Sequence, residues 1–201
     1  MPSNPSRRSF LSRTSAVALA ALMPLPAFAL SEATAKSLVD KLVAEINTVI
    51  DSGKTESAML KDFEGIFSRY ADVPTIARYA LGVDARRASP AQLNAFTDVF
   101  RRYISIKYGK RFREFIGGRI VVNSARQIKS FIEVKTTAHL RGEAPFEVVF
   151  LVSDKSGEAR FFNMFIEGVN MLLTERTEIG AMLDRRKGNI DAMIADLRKL
   201  A

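Results

Sequence analysis

Apolar residues recur with a period of two in the last third of the chain. Two runs rich in β-branched and aromatic residues, 146–153 and 160–167, flank a turn-forming segment from Asp154 to Gly157. This pattern predicts a β-hairpin. Large apolar side chains fall on both faces of both strands, although a strand with one face in water should alternate apolar and polar residues. We therefore expect helices to cover one face of the hairpin, and further helix, a second subunit or an apolar ligand to cover the other.

Side chains alternate across a strand, so the same pattern predicts which of them share a face. In the first strand, one face should carry Phe146, Val148, Phe150 and Val152. In the second strand, Phe162, Met164 and Ile166 should oppose Phe161 and Phe165. Upstream, residues 119–123 and 131–140 also have a period of two. Together the four segments predict a four-stranded antiparallel meander.

Helical spacing of apolar residues predicts helices on both sides of the strands. Ser31, Asp72 and Asn189 are suitable N-caps, and Ser89-Pro90 is a strong helix start. The helices are expected over about 31–53, 56–70, 72–82, 89–116, 169–183 and 189–200. The predicted fold class is therefore α+β, with a curved antiparallel sheet packed against a bundle of N- and C-terminal helices.

The first 29 residues have the pattern of a cleaved export signal. Paired arginines, Arg7-Arg8, precede a modest apolar run, and Ala27-Phe28-Ala29 offers a small-x-small cleavage site. The arginine pair resembles a twin-arginine signal, although general secretory signals also carry such pairs. Cleavage after Ala29 would leave 201 − 29 = 172 residues, expected to form one domain in the periplasm.

The basic balance suits anionic lipid surfaces or acidic partners, and we expect no nucleic-acid partner because an exported protein rarely meets nucleic acid. The net charge of +8 falls to 8 − 3 = +5 once the three arginines of the signal are removed. The helix over 89–116 carries a basic outer side, which is either an ordinary solvated face or a landing patch for phosphate headgroups or an acidic partner. The residues of that side are Arg101, Arg102, Lys107, Lys110, Arg111 and Arg113. The chain has no cysteine, so it offers neither disulfides nor thiol catalysis.

Candidate catalytic chemistry is sparse. The single histidine, His139, falls on the polar face of a predicted strand without a plausible partner nearby. Glu167 is an acid inside an apolar run, immediately before Gly168, and we expect it to bond backbone amides where the strand turns into the next helix. Phosphate-binding glycine loops and nucleophile elbows are not found. We expect a protein that is not an enzyme.

Two strings resemble the MlaC-type periplasmic phospholipid-binding proteins, the auxiliary component of toluene-tolerance ABC transport systems. The first runs from Ile76 to Gly82 and continues into Ser89-Pro90-Ala91-Gln92. The second is Ile166-Glu167-Gly168-Val169-Asn170-Met171, followed by Arg176. The resemblance covers about 38–197. Departures from the family pattern are Ala85 and Ala159 in place of tryptophan, Asn163 in place of aspartate and Glu175 in place of tyrosine.

The resemblance implies a carrier that shields the acyl chains of a glycerophospholipid in an apolar cavity between sheet and helices. The bound lipid would be cargo, and no cofactor is implied. The implied partners are an inner-membrane ABC transporter with an MCE-domain subunit and an outer-membrane lipoprotein complex, and transient membrane contact is possible. Candidate lipid-binding residues come from the doubly apolar hairpin, its exit and the facing helix, although the same pattern also fits ordinary core. They are Phe100, Tyr103, Val148, Phe150, Val152, Phe162, Met164, Ile166, Val169 and Met171.

Two other functions fit the same patterns. A small α+β enzyme or small-ligand module would need titratable groups that converge in the cavity. Glu167 and His139 are weak candidates for such a group. An envelope interaction protein without ligand would instead cover its apolar face with another subunit.

Overall fold

The computed structural model describes residues 30–110 and 116–201, which form helices and one antiparallel sheet. The predicted α+β class is confirmed. The export signal predicted over 1–29 lies outside the described residues. The helices are α1 Glu32–Ile50, α2 Glu56–Tyr70, α3 Val73–Ala80, a 3-10 turn Gly82–Arg86, α4 Pro90–Gly109, α5 Met171–Arg185 and α6 Ile190–Leu200. The strands are β1 Arg119–Ile128, β2 Phe131–His139, β3 Phe146–Ser153, β4 Arg160–Ile166 and β5 Val169–Asn170.

Short polar side chains begin the α-helices. The predicted caps Ser31, Asp72 and Asn189 each accept a hydrogen bond from a backbone N–H in the first turn. Ser89 does the same for α4, and the Gln92 side chain bonds back to the Ser89 backbone, which completes a capping box. These caps satisfy N–H groups that have no partner inside the helix, so the sequence specifies where these four helices start.

The sheet is a meander in the order β1-β2-β3-β4-β5. The predicted hairpin is confirmed as β3 and β4. Its turn closes with the Gly157 N–H donating to the Asp154 carbonyl at 2.9 Å, and Gly157 has a φ of 100°, which favours glycine. A fifth strand, β5, joins the edge of the four predicted strands. It covers Val169–Asn170, where the spacing predicted helix, so α5 begins two residues later than expected.

A β-bulge in β4 reverses part of the predicted facing pattern. Phe150 pairs with Met164 and Leu151 with Asn163, but Val152 pairs with Phe161, so one residue of β4 has no partner. That residue is Phe162, whose ring contacts Phe131 on the outer face of β2 with centroids 5.8 Å apart. The prediction that Phe162 shares a face with Met164 and Ile166 is therefore wrong. Phe161 takes the inner position because an extra residue shifts the alternation by one.

One hydrophobic core lies between the inner face of the sheet and the helices. Helix α1 packs on β1 and β2, while α2, α3 and α6 pack around α4. Alternate residues of β2 face this core and are buried, among them Ile132, Val134 and Ala138. Helices thus form the expected first cover of the hairpin.

The outer face of the hairpin is partly covered by the start of α5. Leu151 and Val149 on this face are only 9% and 8% exposed. Asn163, paired with Leu151 on the same face, accepts a hydrogen bond from the Leu172 N–H at 3.1 Å, which places the first turn of α5 beside them. The sequence did not decide whether helix, a second subunit or a ligand covers this face. In the structure, the first turn of α5 covers part of it.

Two asparagines hold the corner between β4 and α5. Asn163 donates to the Asn170 side chain at 3.0 Å, and Asn170 caps α5 by accepting from the Leu173 N–H. The expectation that the Glu167 carboxylate bonds backbone amides here is wrong. Glu167 is exposed with a φ of 50°. Among the described residues its carboxylate has no hydrogen-bond partner, and its backbone N–H donates to the Glu147 carbonyl at 3.0 Å.

Replacing Asn163 with alanine should lower the free energy of unfolding by about 2 kcal/mol, because the buried Leu172 N–H would lose its acceptor. Chemical denaturation followed by circular dichroism measures the loss. The control is Asn123→Ala, which removes an exposed side-chain bond to Thr137 and should have little effect. Equal losses in the two variants would contradict a special role for the corner.

Candidate functional site

An apolar cavity of about 480 Å³ lies between the sheet and the helices. Its size falls within the range of small-molecule sites, roughly 300–1,000 Å³. The helical wall comes from α1, α2 and the last turns of α4: Leu42, Ile46, Phe63, Ile66, Phe67, Ile104, Ser105, Tyr108 and Gly109. The sheet and its loops supply the other wall: Ile120, Leu140, Glu143, Ala144, Phe146, Val148, Phe150, Phe161, Met164, Ile166 and Glu167.

Strand register places the open end of the cavity. Ala138 pairs with Phe146 and Val148 pairs with Ile166, so the end of β2, the start of β3 and the end of β4 meet at one edge. Glu143 and Glu167 lie in the loops at this edge, line the cavity and are exposed. The cavity therefore reaches solvent where the two carboxylates lie, and its deeper part is lined by side chains of the core.

The polar groups on the helical wall already have partners. The Ser105 hydroxyl donates to the Arg101 carbonyl at 2.8 Å, and the Tyr108 hydroxyl donates to the Glu175 carboxylate. Within the described part of the chain, the charged residues that line the cavity are Glu143 and Glu167, both at the open end. An apolar ligand can fill the interior without leaving a buried polar group unpaired, which would cost free energy.

A polar network links α4 to α5 next to Tyr108, a residue of the helical wall of the cavity. The Lys107 ammonium donates to Glu175 at 2.7 Å and to Glu178 at 2.6 Å, and the Tyr103 hydroxyl donates to Glu178 at 2.8 Å. Glu175 is 3% exposed, and its second carboxylate oxygen has no hydrogen-bond partner among the described residues. Lys107 also lies 5.5 Å from the ring centroids of Tyr103 and Tyr108.

The network favours one protonation pattern near neutral pH. Burial, the nearby charge of Glu175 and the bond to Glu178 raise the pKa of Tyr103 to about 12. Burial and the bond to Glu175 likewise raise the pKa of Tyr108. Burial disfavours the charged form of Lys107, but its two carboxylate partners outweigh that effect and raise its pKa. Both tyrosines thus remain donors, and the lysine remains charged.

The structure brings together four of the ten residues predicted to bind lipid. Val148, Phe150, Met164 and Ile166 line the cavity side by side on β3 and β4. The other six lie elsewhere, and a direct contact with lipid stays a prediction for all ten. Phe100, Tyr103 and Val152 belong to the buried core, Phe162 faces the outer side of the sheet, and Val169 and Met171 follow the turn after β4.

Sixteen of the twenty residues that line the cavity are not among those predicted to bind lipid. The stripes of α1 and α2 supply Leu42, Ile46, Phe63, Ile66 and Phe67, all of which fit an ordinary packing face. A helical stripe indicates that a face is buried but not whether protein or ligand buries it. The loop residues at the open end have no periodic pattern at all.

Ion pairs account for part of the basic side of α4. Arg101 lies 3.5 Å from Glu64 and 3.6 Å from Asp98, and Lys107 is bound in the network. Arg102 and Lys110 are exposed, whereas Arg111 and Arg113 fall outside the described residues, as does part of the helix expected to reach Ile116. His139 is half-buried at the end of β2.

The family model of the MlaC protein matches residues 36–199. The chain belongs to the MlaC family. A solved structure of a phospholipid-binding protein from Ralstonia solanacearum, in complex with a phospholipid, shares the fold with a TM-score of 0.67. The two sequences are 18% identical over 84% of this MlaC-family chain and 95% of the other. Among the described residues, no helix is both long and apolar enough to span a membrane.

The two strings that resemble the family meet in space in this MlaC-family fold. Gly82 belongs to the first string, and Arg176 follows the second. A Cβ at Gly82 would lie 3.2 Å from the Arg176 Nε, so glycine leaves room for the guanidinium. The φ of +62° at Gly82 also favours glycine.

Proposed function

We propose that this MlaC-family protein is a periplasmic phospholipid carrier that shields acyl chains in its cavity. The observation that carries the proposal is the apolar cavity whose helix-side polar groups are already bonded and whose charged lining residues lie at the open end. Acyl chains would occupy the interior, and the headgroup would remain near Glu143 and Glu167. The phospholipid complex of the Ralstonia solanacearum protein, which has the same fold, supports this function.

Burial energy makes an apolar lining sufficient for binding. Each CH₂ group removed from water contributes about 0.8 kcal/mol. Two acyl chains with about 30 such groups would gain on the order of 20 kcal/mol before the cost of ordering them. Few headgroup contacts are then required, in keeping with the absence of a sharp polar motif in the sequence.

The same energy opposes release into water, so unloading requires a partner that opens or replaces the cavity. We propose that the protein moves lipid between an outer-membrane lipoprotein complex and an inner-membrane ABC transporter with an MCE-domain subunit. This traffic would maintain the lipid asymmetry of the outer membrane. Family membership supports these partners.

Native mass spectrometry of the purified protein tests the carrier function, followed by solvent extraction and identification of the lipid. We expect one stoichiometric adduct with the mass of a phospholipid. A bare polypeptide mass, unchanged after incubation with phospholipid vesicles, would contradict the proposal. If the bare protein also formed a concentration-dependent dimer, a ligand-free interaction protein would be the better explanation.

A further inference from the structure

An exposed surface of α3, the 3-10 turn and α5 combines apolar and basic side chains. Tyr79 is 40% exposed, Val83 65% and Leu173 51%. We name this surface the α3–α5 patch, formed by Arg78, Tyr79, Val83, Arg86, Leu173 and Arg176. Such large apolar side chains are costly to leave in water, so a contiguous group of them marks a surface that contacts something else.

Contacts hold the centre of the patch in place. The Arg176 guanidinium lies 5.2 Å from the ring centroid of Tyr79, a cation–π distance. The same guanidinium lies close to Gly82, the neighbour of Val83 in the chain. Leu173 lies one turn before Arg176 on the same face of α5. The guanidinium is therefore held beside the Tyr79 ring and the Gly82 backbone at an exposed position.

The charge of the patch is not neutralised within the described chain. Arg78, Arg86 and Arg176 are exposed, and none forms an ion pair with a described carboxylate. Asp84, the acid nearest to Arg86 in sequence, is bonded to Arg87 instead, and Glu175, which precedes Arg176, is bonded to Lys107. Val83 and Arg86 are three residues apart in a 3-10 turn and so share one side of it. A complementary surface would need anionic groups above an apolar layer.

We propose that the α3–α5 patch docks the carrier on an anionic phospholipid bilayer. Phosphate groups match the guanidinium donors, and Val83 and Leu173 can enter the interface between headgroups and acyl chains. The patch follows the cavity wall in the chain, because α5 begins two residues after Val169, which pairs with the cavity residue Ile166. Docking would hold the carrier at a bilayer surface, and this role rests on the proposed carrier function.

Co-sedimentation with vesicles tests the patch. The purified protein should bind phosphatidylcholine vesicles with 30% phosphatidylglycerol about tenfold more tightly than pure phosphatidylcholine vesicles, and the difference should shrink at high salt. Arg176→Gln should weaken binding to the anionic vesicles about fivefold, the effect of one arginine near such a surface. Leu173→Ser should weaken binding to the anionic vesicles by a similar factor. It should also reduce the vesicle binding that remains at high salt.

A matched control comes from the same helix. Arg185 is exposed and forms no ion pair with a described carboxylate. It lies nine residues, or two and a half turns, after Arg176 and so projects from the opposite side of α5. Arg185→Gln changes the net charge equally and should alter vesicle binding by less than about twofold if docking is local. Thermal unfolding checks that each variant is folded, and Arg78→Gln replaces Arg176→Gln if the latter is not.

The outcomes separate the patch from the cavity. A larger loss for Arg176→Gln than for Arg185→Gln supports the proposal, while equal losses or no binding to anionic vesicles overturn it. Native mass spectrometry of the same samples should show unchanged lipid occupancy, since the patch does not line the cavity. An empty cavity with intact vesicle binding would refute the carrier function and leave the docking surface standing.

Discussion

Replacing Met164 with glutamate should empty the cavity of lipid and leave the protein folded. Met164 lines the cavity between Phe161 and Ile166, and its side chain is only partly buried. Acyl chains in the cavity would bury a carboxylate at this position at a cost of several kcal/mol. We expect lipid occupancy in native mass spectrometry to fall more than about tenfold, the equivalent of 1.4 kcal/mol.

The matched control is the next residue along the strand. Phe165 pairs with Val149 on the outer face and does not line the cavity. Phe165→Glu introduces the same charge into the same strand and should retain bound lipid, provided that circular dichroism shows a folded protein. Full occupancy in a folded Met164→Glu variant would remove Met164 from the lipid site, and parallel losses in both variants would indicate general damage to the sheet.

Replacing Lys107 with methionine should lower the free energy of unfolding by about 3 kcal/mol, because Glu175 would remain buried without its cation. The loss should be largest between about pH 5 and pH 10. Bonds from Lys107 and Tyr103 outweigh burial and lower the pKa of Glu178, so its contribution is lost as the pH falls through that lowered value. The raised pKa of Lys107 means that its contribution is lost only at strongly alkaline pH.

A second substitution isolates the mechanism. Adding Glu175→Leu to Lys107→Met removes the unpaired carboxylate, and the double variant should recover at least half of the lost stability in chemical denaturation. Lys36→Met serves as the control, since the Lys36 to Asp40 pair is exposed and should contribute less than about 0.5 kcal/mol. If the double variant were less stable than Lys107→Met alone, Glu175 would not be the source of the loss.

The residues near the hairpin show how far sequence reasoning reached. The strands, their turn and the cavity-facing side of Val148, Phe150, Met164 and Ile166 followed from a period of two. The bulge at Phe162 did not, because Phe161 and Phe162 are chemically equivalent and either could fill the inner position. Hydrogen bonding between the strands selects Phe161, and that choice involves a partner strand which local alternation does not include.

The sequence by itself determined the α+β class, the start of each α-helix except α5 and the order of the first four strands, because capping, turn formation and periodicity depend on residues close together in the chain. Only the tertiary structure decided that Lys107 meets Glu175, that Gly82 meets Arg176, and that a cavity remains between α1, α2 and the sheet. Those features join residues distant in sequence. Whether packed side chains fill a space or leave it for a ligand depends on how the layers fit together.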